Sequence, residues 1–185
     1  MKNQIEQLVA EPNLYDGDLA KIIKALQHDQ IVTIPTETVY GYAVCLSSIQ
    51  GIQDLMRLKN RAYDSGKVFT LVPVVKTDIA NYAIIPEYAK AFIEQFVPGE
   101  ITLIFRKNPS FCHPYYDHFD TIGIRIPNHP LFAELLPQTG SLLLTSANPR
   151  GGTPKSTTGH LPSTIVDCTG STPKILRQGD LLVKI

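Results

Sequence analysis

Surplus charge is the first thing this sequence lacks: across 185 residues, 17 Lys and Arg balance 17 Asp and Glu. Such a chain has no general attraction for a polyanion such as RNA or for an acidic membrane surface, so any anion must be met by locally placed cations. No run approaches the ~20 apolar residues of a membrane span, and the start, Met1 to Gln7, lacks a signal-peptide stretch, which makes the cytoplasm the expected compartment. Cysteine is scarce. Cys45, Cys112 and Cys168 show no CxxC spacing and read as reduced core residues rather than a disulfide framework. Two nucleotide signatures are also missing. Without a GxxxxGK[ST] loop or a GxGxxG turn, phosphates have to be held by side chains and by strand-end backbone.

What is present is an ordinary globular composition, 43% hydrophobic and 18% charged, with no long linker and no internal repeat. One domain spanning 1–185 is expected. Leu19, Ile22, Ile23 and Leu26 recur at helical spacing behind Asp18 and predict a helix over 17–29. A second helix runs from Ile49 towards Lys59, and helical patterns also cover 86–96 and 129–136. Strand-like runs occupy 31–35, 42–46, 68–75, 101–105, 121–126, 142–145, 164–168 and 174–176. Because strands and helices do not alternate one for one, the expected class is α/β (α+β), a mixed, twisted sheet covered by helices in three layers.

Several polar groupings stand out. Lys59 and Arg61 flank the end of the second helix, where they either complement the helix dipole or, once the helix has stopped, converge on an anion. Ser146 and Asn148 close the apolar run Leu142–Leu144 ahead of Gly151 and Gly152, as an ordinary turn or as a strand-end ligand site. Thr121, Gly123 and Arg125 share one face of a strand whose other face is isoleucine. A cation there needs a carboxylate partner or an anionic ligand. Thr36, Glu37 and Thr38 pack hydroxyls and a carboxylate into a turn. His113, Asp117 and His118 offer metal-binding chemistry, but their Tyr- and Pro-rich setting reads as an exposed loop, and no metal site is expected.

Taken in order, Pro35-Thr36-Glu37-Thr38-Val39-Tyr40-Gly41, Lys59-x-Arg61, Pro98-Gly99-x-x-Thr102, Thr121-Ile122-Gly123-Ile124-Arg125-Ile126-Pro127, Ser146-x-Asn148, Ser163-Thr164-Ile165-Val166-Asp167 and Leu176-Arg177-x-Gly179 resemble the YrdC/Sua5 family of threonylcarbamoyl-AMP synthases. The resemblance runs from about residue 18 to 180. It implies formation of threonylcarbamoyl-AMP and pyrophosphate from L-threonine, bicarbonate and ATP with Mg²⁺. A downstream threonylcarbamoyl transferase complex would use the product for the t6A37 modification of tRNAs reading ANN codons. It also implies ATP contacts at Lys59, Arg61, Ser65, Thr121, Asn148, Ser156 and Arg177, and threonine contacts at Thr38, Arg125, Ser146 and Ser163. Lys59, Arg61, Ser146 and Asn148 would form the catalytic set.

The chain departs from the family at Thr70, where members often carry histidine, a wording closer to the YciO branch. Between Ser156 and Ser163 it is also shorter than the family, so an edge of the fold is expected to be absent. The chain resembles the single-domain form. The rival reading is a non-catalytic YrdC-like protein that binds tRNA or other RNA, against which the neutral charge argues. A dihydroxybutanone-phosphate synthase of the same fold would need acidic metal ligands that the sequence does not offer.

Overall fold

The computed structural model describes residues 18–63, 66–148, 152–157 and 159–184. Helix α1 (Leu19–Gln27) starts where the Asp18 carboxylate accepts the Lys21 backbone N–H, and it buries Ile22 and Leu26. Strands β1 (Val32–Ile34) and β2 (Gly41–Cys45) follow, joined by the turn at Thr36 to Tyr40. The Ser48 hydroxyl caps α2 (Ile49–Leu58). Next come β3 (Thr70–Val72), the one-turn α3 (Ile79–Tyr82), β4 (Ala83–Ile84), α4 (Glu87–Phe96), β5 (Ile101–Lys107) and β6 (Thr121–Ile124). The described chain closes with α5 (Pro130–Thr139), β7 (Leu142–Ser146), β8 (Thr164–Asp167) and β9 (Lys174–Arg177). Pro130 opens α5 at the position where its missing N–H costs nothing.

All strands join one mixed sheet in the order β1-β2-β7-β3-β6-β5-β8-β9, with β4 paired to β5. The β3/β6 and β5/β8 pairs are parallel and the others antiparallel, as the irregular alternation of strands and helices predicts. Two apolar cores lie on the two faces. One takes Val44, Leu71, Leu103, Phe105, Ile122, Leu143 and Val166 from the sheet and packs them against α2, α4 and the Tyr115–Tyr116 pair. The other takes Val32, Ile34, Ala43, Cys45, Val72, Leu142 and Leu144 and packs them against α1 and α5. Each fully buried Leu, Ile or Phe contributes about 1.5–3 kcal/mol relative to exposure. The second helical layer covers only the β1-β2-β7-β3 half of its face, and the opposite half, over β6, β5 and β8, carries no helix-packed core among the described residues. That uncovered half is where the polar residues collect.

Several boundaries are narrower than the sequence pattern. The strand expected over 68–75 shrinks to Thr70–Val72 because Pro73 cannot donate to a ladder. On the other side, the Phe69 N–H donates to the Tyr115 hydroxyl at 2.8 Å and its carbonyl accepts from Tyr116 at 3.0 Å. Strand β6 ends at Ile124, so Arg125 lies one residue past it, still tied to β3 by its N–H to the Leu71 carbonyl at 3.0 Å. Cys45 and Cys168 are buried, and burial pushes both thiols up to about 11, which disqualifies them as nucleophiles. Cys112 is exposed, contrary to its expected core position, because it sits in the loop after β5. No helix among the described residues is long and apolar enough to cross a membrane.

Gly179 is fixed by close approach: a Cβ there would lie 2.4 Å from the Pro162 carbonyl oxygen and 2.9 Å from the Thr164 nitrogen. Gly179→Ala is expected to destabilise by roughly 1–3 kcal/mol through backbone displacement. Gly170→Ala, whose methyl meets nothing nearer than 3.7 Å, is the neutral control in the same thermal melts.

Candidate functional site

A cavity of about 520 Å³ occupies the uncovered half of the sheet. Its floor follows from strand alternation. Thr102 and Ile104 of β5, Thr121 and Gly123 of β6, Thr70 of β3 and Ile165 of β8 point into it, while their neighbours in sequence enter the helix-packed core. Gly123 leaves the middle of the floor without a side chain. The walls carry Arg61, Lys67, Arg125 and Arg177, and among the described residues no carboxylate lines the space. A chain of zero net charge therefore gathers cations at one place.

The predicted residues divide into two groups. Arg61, Thr121, Arg125, Ser146, Ser163 and Arg177 line the cavity. The Arg61 guanidinium lies 4.6 Å above the Phe69 ring, a cation–π contact that holds its head in place. Arg177 donates through Nε and Nη2 to the Ser163 carbonyl at 3.0 and 2.8 Å, and Nη2 also reaches the Ser163 hydroxyl. Partial burial, and then the Arg125 guanidinium, push the Arg177 pKa below its usual range. Arg125 is buried. Its Nη2 donates to the Thr38 hydroxyl at 2.9 Å and lies 3.0 Å from the Glu37 carboxylate, so of the two partners the sequence allowed, a carboxylate or an anionic ligand, the fold itself supplies a carboxylate, Glu37.

Lys59, Asn148, Thr38 and Ser156 stand behind the lining. The second helix ends at Leu58, Asn60 takes a left-handed conformation at φ 44°, and the chain reverses so that Lys59 turns towards β7. The Lys59 ammonium donates to the Ser146 and Asn148 carbonyls and to the Asn148 side-chain oxygen. It thereby pins the strand end on which Ser146 faces the cavity. Burial first, and the Arg61 charge second, lower the Lys59 pKa from 10.5 to about 8. The Thr38 hydroxyl bonds Thr36 at 3.0 Å. Ser156 pairs with Val39 in an isolated bridge, and Thr157 donates to the Thr36 and Thr38 carbonyls, so the short stretch before Ser163 is anchored to the β1–β2 turn. Ser65, the remaining expected ATP contact, lies outside the described residues.

Two polar features have no counterpart in the sequence pattern. The buried Thr102 hydroxyl bonds Ser163 at 2.9 Å, linking β5 to the Arg177 anchor. Glu100, His160 and Asp180 cluster at the far end of the short stretch, with the His160 Nδ1 at 3.0 Å from Asp180 and 3.9 Å from Glu100. The pairing of residues so far apart in sequence leaves no local signal. The group at His113 does not form a metal cluster: His113 Nε2 faces the Leu46 carbonyl, Nδ1 accepts from Tyr115, and Asp117 pairs with Lys107.

The chain is similar to several known proteins. The Sua5/YciO/YrdC family model, described as "Telomere recombination", matches residues 24–161. A putative threonylcarbamoyl-AMP synthase from Mycobacterium tuberculosis is 30% identical over 191 residues, covering 92% of this chain and 88% of its own length. The threonylcarbamoyl-AMP synthase of Yersinia pestis is 28% identical over 138 residues, covering 74% of this chain and 73% of its own. The crystal structure of P. abyssi Sua5 complexed with L-threonine superposes with a TM-score of 0.76 at 22% identity, over 88% of this chain. This chain spans about half of that protein, 54% of its length.

Replacing Lys59 removes the donor for two strand-end carbonyls, and Lys59→Met is expected to cost roughly 1–3 kcal/mol in urea denaturation. Because the folded pKa is depressed, the unfolded chain holds a proton that the folded chain has released between about pH 8 and 10.5. This group alone therefore makes stability rise with pH across that window. The difference between wild type and Lys59→Met should carry that slope; a pH-independent difference would contradict the buried-ammonium assignment.

Proposed function

The chain belongs to the Sua5/YciO/YrdC family, and we propose that it forms threonylcarbamoyl-AMP and pyrophosphate from L-threonine, bicarbonate and ATP. The observation that carries this reading is the cavity itself, walled by Arg61, Lys67, Arg125 and Arg177 and floored by threonine hydroxyls, with no lining carboxylate among the described residues. Its volume lies within the ~300–1,000 Å³ usual for small-molecule sites.

The chemistry needs such a place. Threonine and bicarbonate condense to an N-carboxylate, water and a proton. A carboxylate oxygen then attacks the α-phosphorus of ATP, the bond from that phosphorus to the bridging oxygen breaks, and pyrophosphate leaves. Both reactants are anions, so catalysis rests on screening their repulsion and aligning them rather than on a strong base. Arg61 and Arg177, with Lys67 at the rim, suit the phosphates, and planar guanidinium groups suit bidentate oxygen pairs. Arg125, Ser146 and Ser163 suit the amino acid, its carboxylate meeting Arg125. Lys59 and Asn148 support the reaction from behind by fixing the Ser146 strand end. Thr121 contributes a hydroxyl from the floor, and Ser156 and Thr38 brace the β1–β2 turn. Since the described lining offers no carboxylate to hold a metal, Mg²⁺ enters as part of the nucleotide substrate, coordinated by the triphosphate. The product would pass to a threonylcarbamoyl transferase complex for t6A37 modification of tRNA in the cytoplasm.

The test is pyrophosphate release from ATP. It should depend on both L-threonine and bicarbonate, and release that ignores either one would refute the reading. Arg61→Ala should weaken nucleotide affinity at least about tenfold, the loss of one charge-assisted contact. Arg125→Gln should raise KM for threonine with a smaller effect on KM for ATP.

A further inference from the structure

Arg125 is 5% exposed, and a guanidinium that deep is not left without a counter-charge. Its partner is Glu37, whose carboxylate stands 3.0 Å from Nη2 with a side chain 15% exposed. The two residues are not equivalent with respect to the cavity. Arg125 belongs to its lining and Glu37 does not. The carboxylate therefore neutralises Arg125 from the side away from the ligand, while Thr38, itself held by Thr36, takes a hydrogen bond from the same Nη2. Arg61 and Arg177 are held by other means, the Phe69 ring and the Ser163 carbonyl.

From this asymmetry, and resting on the reading of the Arg125 end as an amino-acid pocket, we infer that Glu37 is a specificity-determining residue, the internal counter-anion that keeps small anions and stray phosphate out of that pocket. With Glu37 in place, the charge of Arg125 itself is balanced, and the positive potential left at this end comes from the neighbouring Arg177. A ligand gains there through hydrogen-bond geometry, and an amino acid that also offers an ammonium and a hydroxyl gains more than a bare anion does. With Glu37 neutral, Arg125 becomes an uncompensated buried cation and accepts any small anion that reaches it.

The experiment compares wild type with Glu37→Gln in thermal melts, in buffer free of small oxyanions, with added formate, inorganic phosphate or L-threonine. Wild type should be stabilised by L-threonine and indifferent to formate, and its response to phosphate should be only that of the Arg61, Lys67 and Arg177 end. Glu37→Gln should melt lower without ligand, gain stability from both anions, and lose apparent L-threonine affinity about tenfold in formate through competition. The Glu37→Gln/Arg125→Gln double variant should lose the anion response that Glu37→Gln adds. A Glu37→Gln protein that responds to formate and phosphate no more than wild type overturns the inference. Should that variant fail to fold without anions, refolding in formate reads the same property: recovery supports the counter-anion role and failure to recover overturns it. A wild type indifferent to L-threonine would instead sink the amino-acid reading, and the formate comparison would remain interpretable.

Discussion

The architecture of the site depends on one constraint: a β-strand must send successive side chains to opposite faces. In β5 and β6 this forces Leu103, Phe105, Ile122 and Ile124 into the helix-packed core and leaves Thr102, Ile104, Thr121 and Gly123 on the other side. Because α1 and α5 cover only half of that second face, the polar set meets open space rather than a helix. Stability and site are thus made by the same strands at the same positions. A shift of register by one residue would bury the threonines and expose the isoleucines.

Behind that floor the residues fall into those that face a ligand and those that hold the others in place. Arg61, Arg125 and Arg177 face the cavity, each fixed by a different device: an aromatic ring, a buried hydroxyl with a carboxylate, and a backbone carbonyl. Lys59 does something different. Its ammonium spends its hydrogen bonds on the β7 strand end, so its contribution to the cavity is the placement of Ser146 and Asn148 as much as charge. The same sequence motif, Lys-x-Arg, therefore supplies one brace and one ligand-facing group.

Periodicity makes most of this legible in the sequence. The alternation Thr121-Ile122-Gly123-Ile124 by itself separates the cavity-facing side of β6 from its core side, and the capping residue Asp18 stands directly before the first residue of α1. The ordered motifs contain many of the residues that line the cavity. What stays hidden is pairing across distance. That Glu37 lies against Arg125, that Thr102 joins Ser163, and that Lys59 turns inward on a left-handed Asn60 are outcomes of tertiary packing with no local signature. Strand β3 falls short of its apolar run where Pro73 and the hydroxyls of Tyr115 and Tyr116 interrupt the ladder.

The cavity draws its lining from residues as far apart as Thr36 and Arg177, across a sheet whose central strands pair out of sequence order. A nascent chain emerging from the ribosome holds α1, β1 and β2 early, yet β7 must insert between β2 and β3, and β8 must dock on β5, before any wall closes. Contacts of such long sequence separation form late and slowly. Because the lining runs from Thr36 to Arg177, a bound small molecule would mark molecules in which all of that stretch has been made and folded.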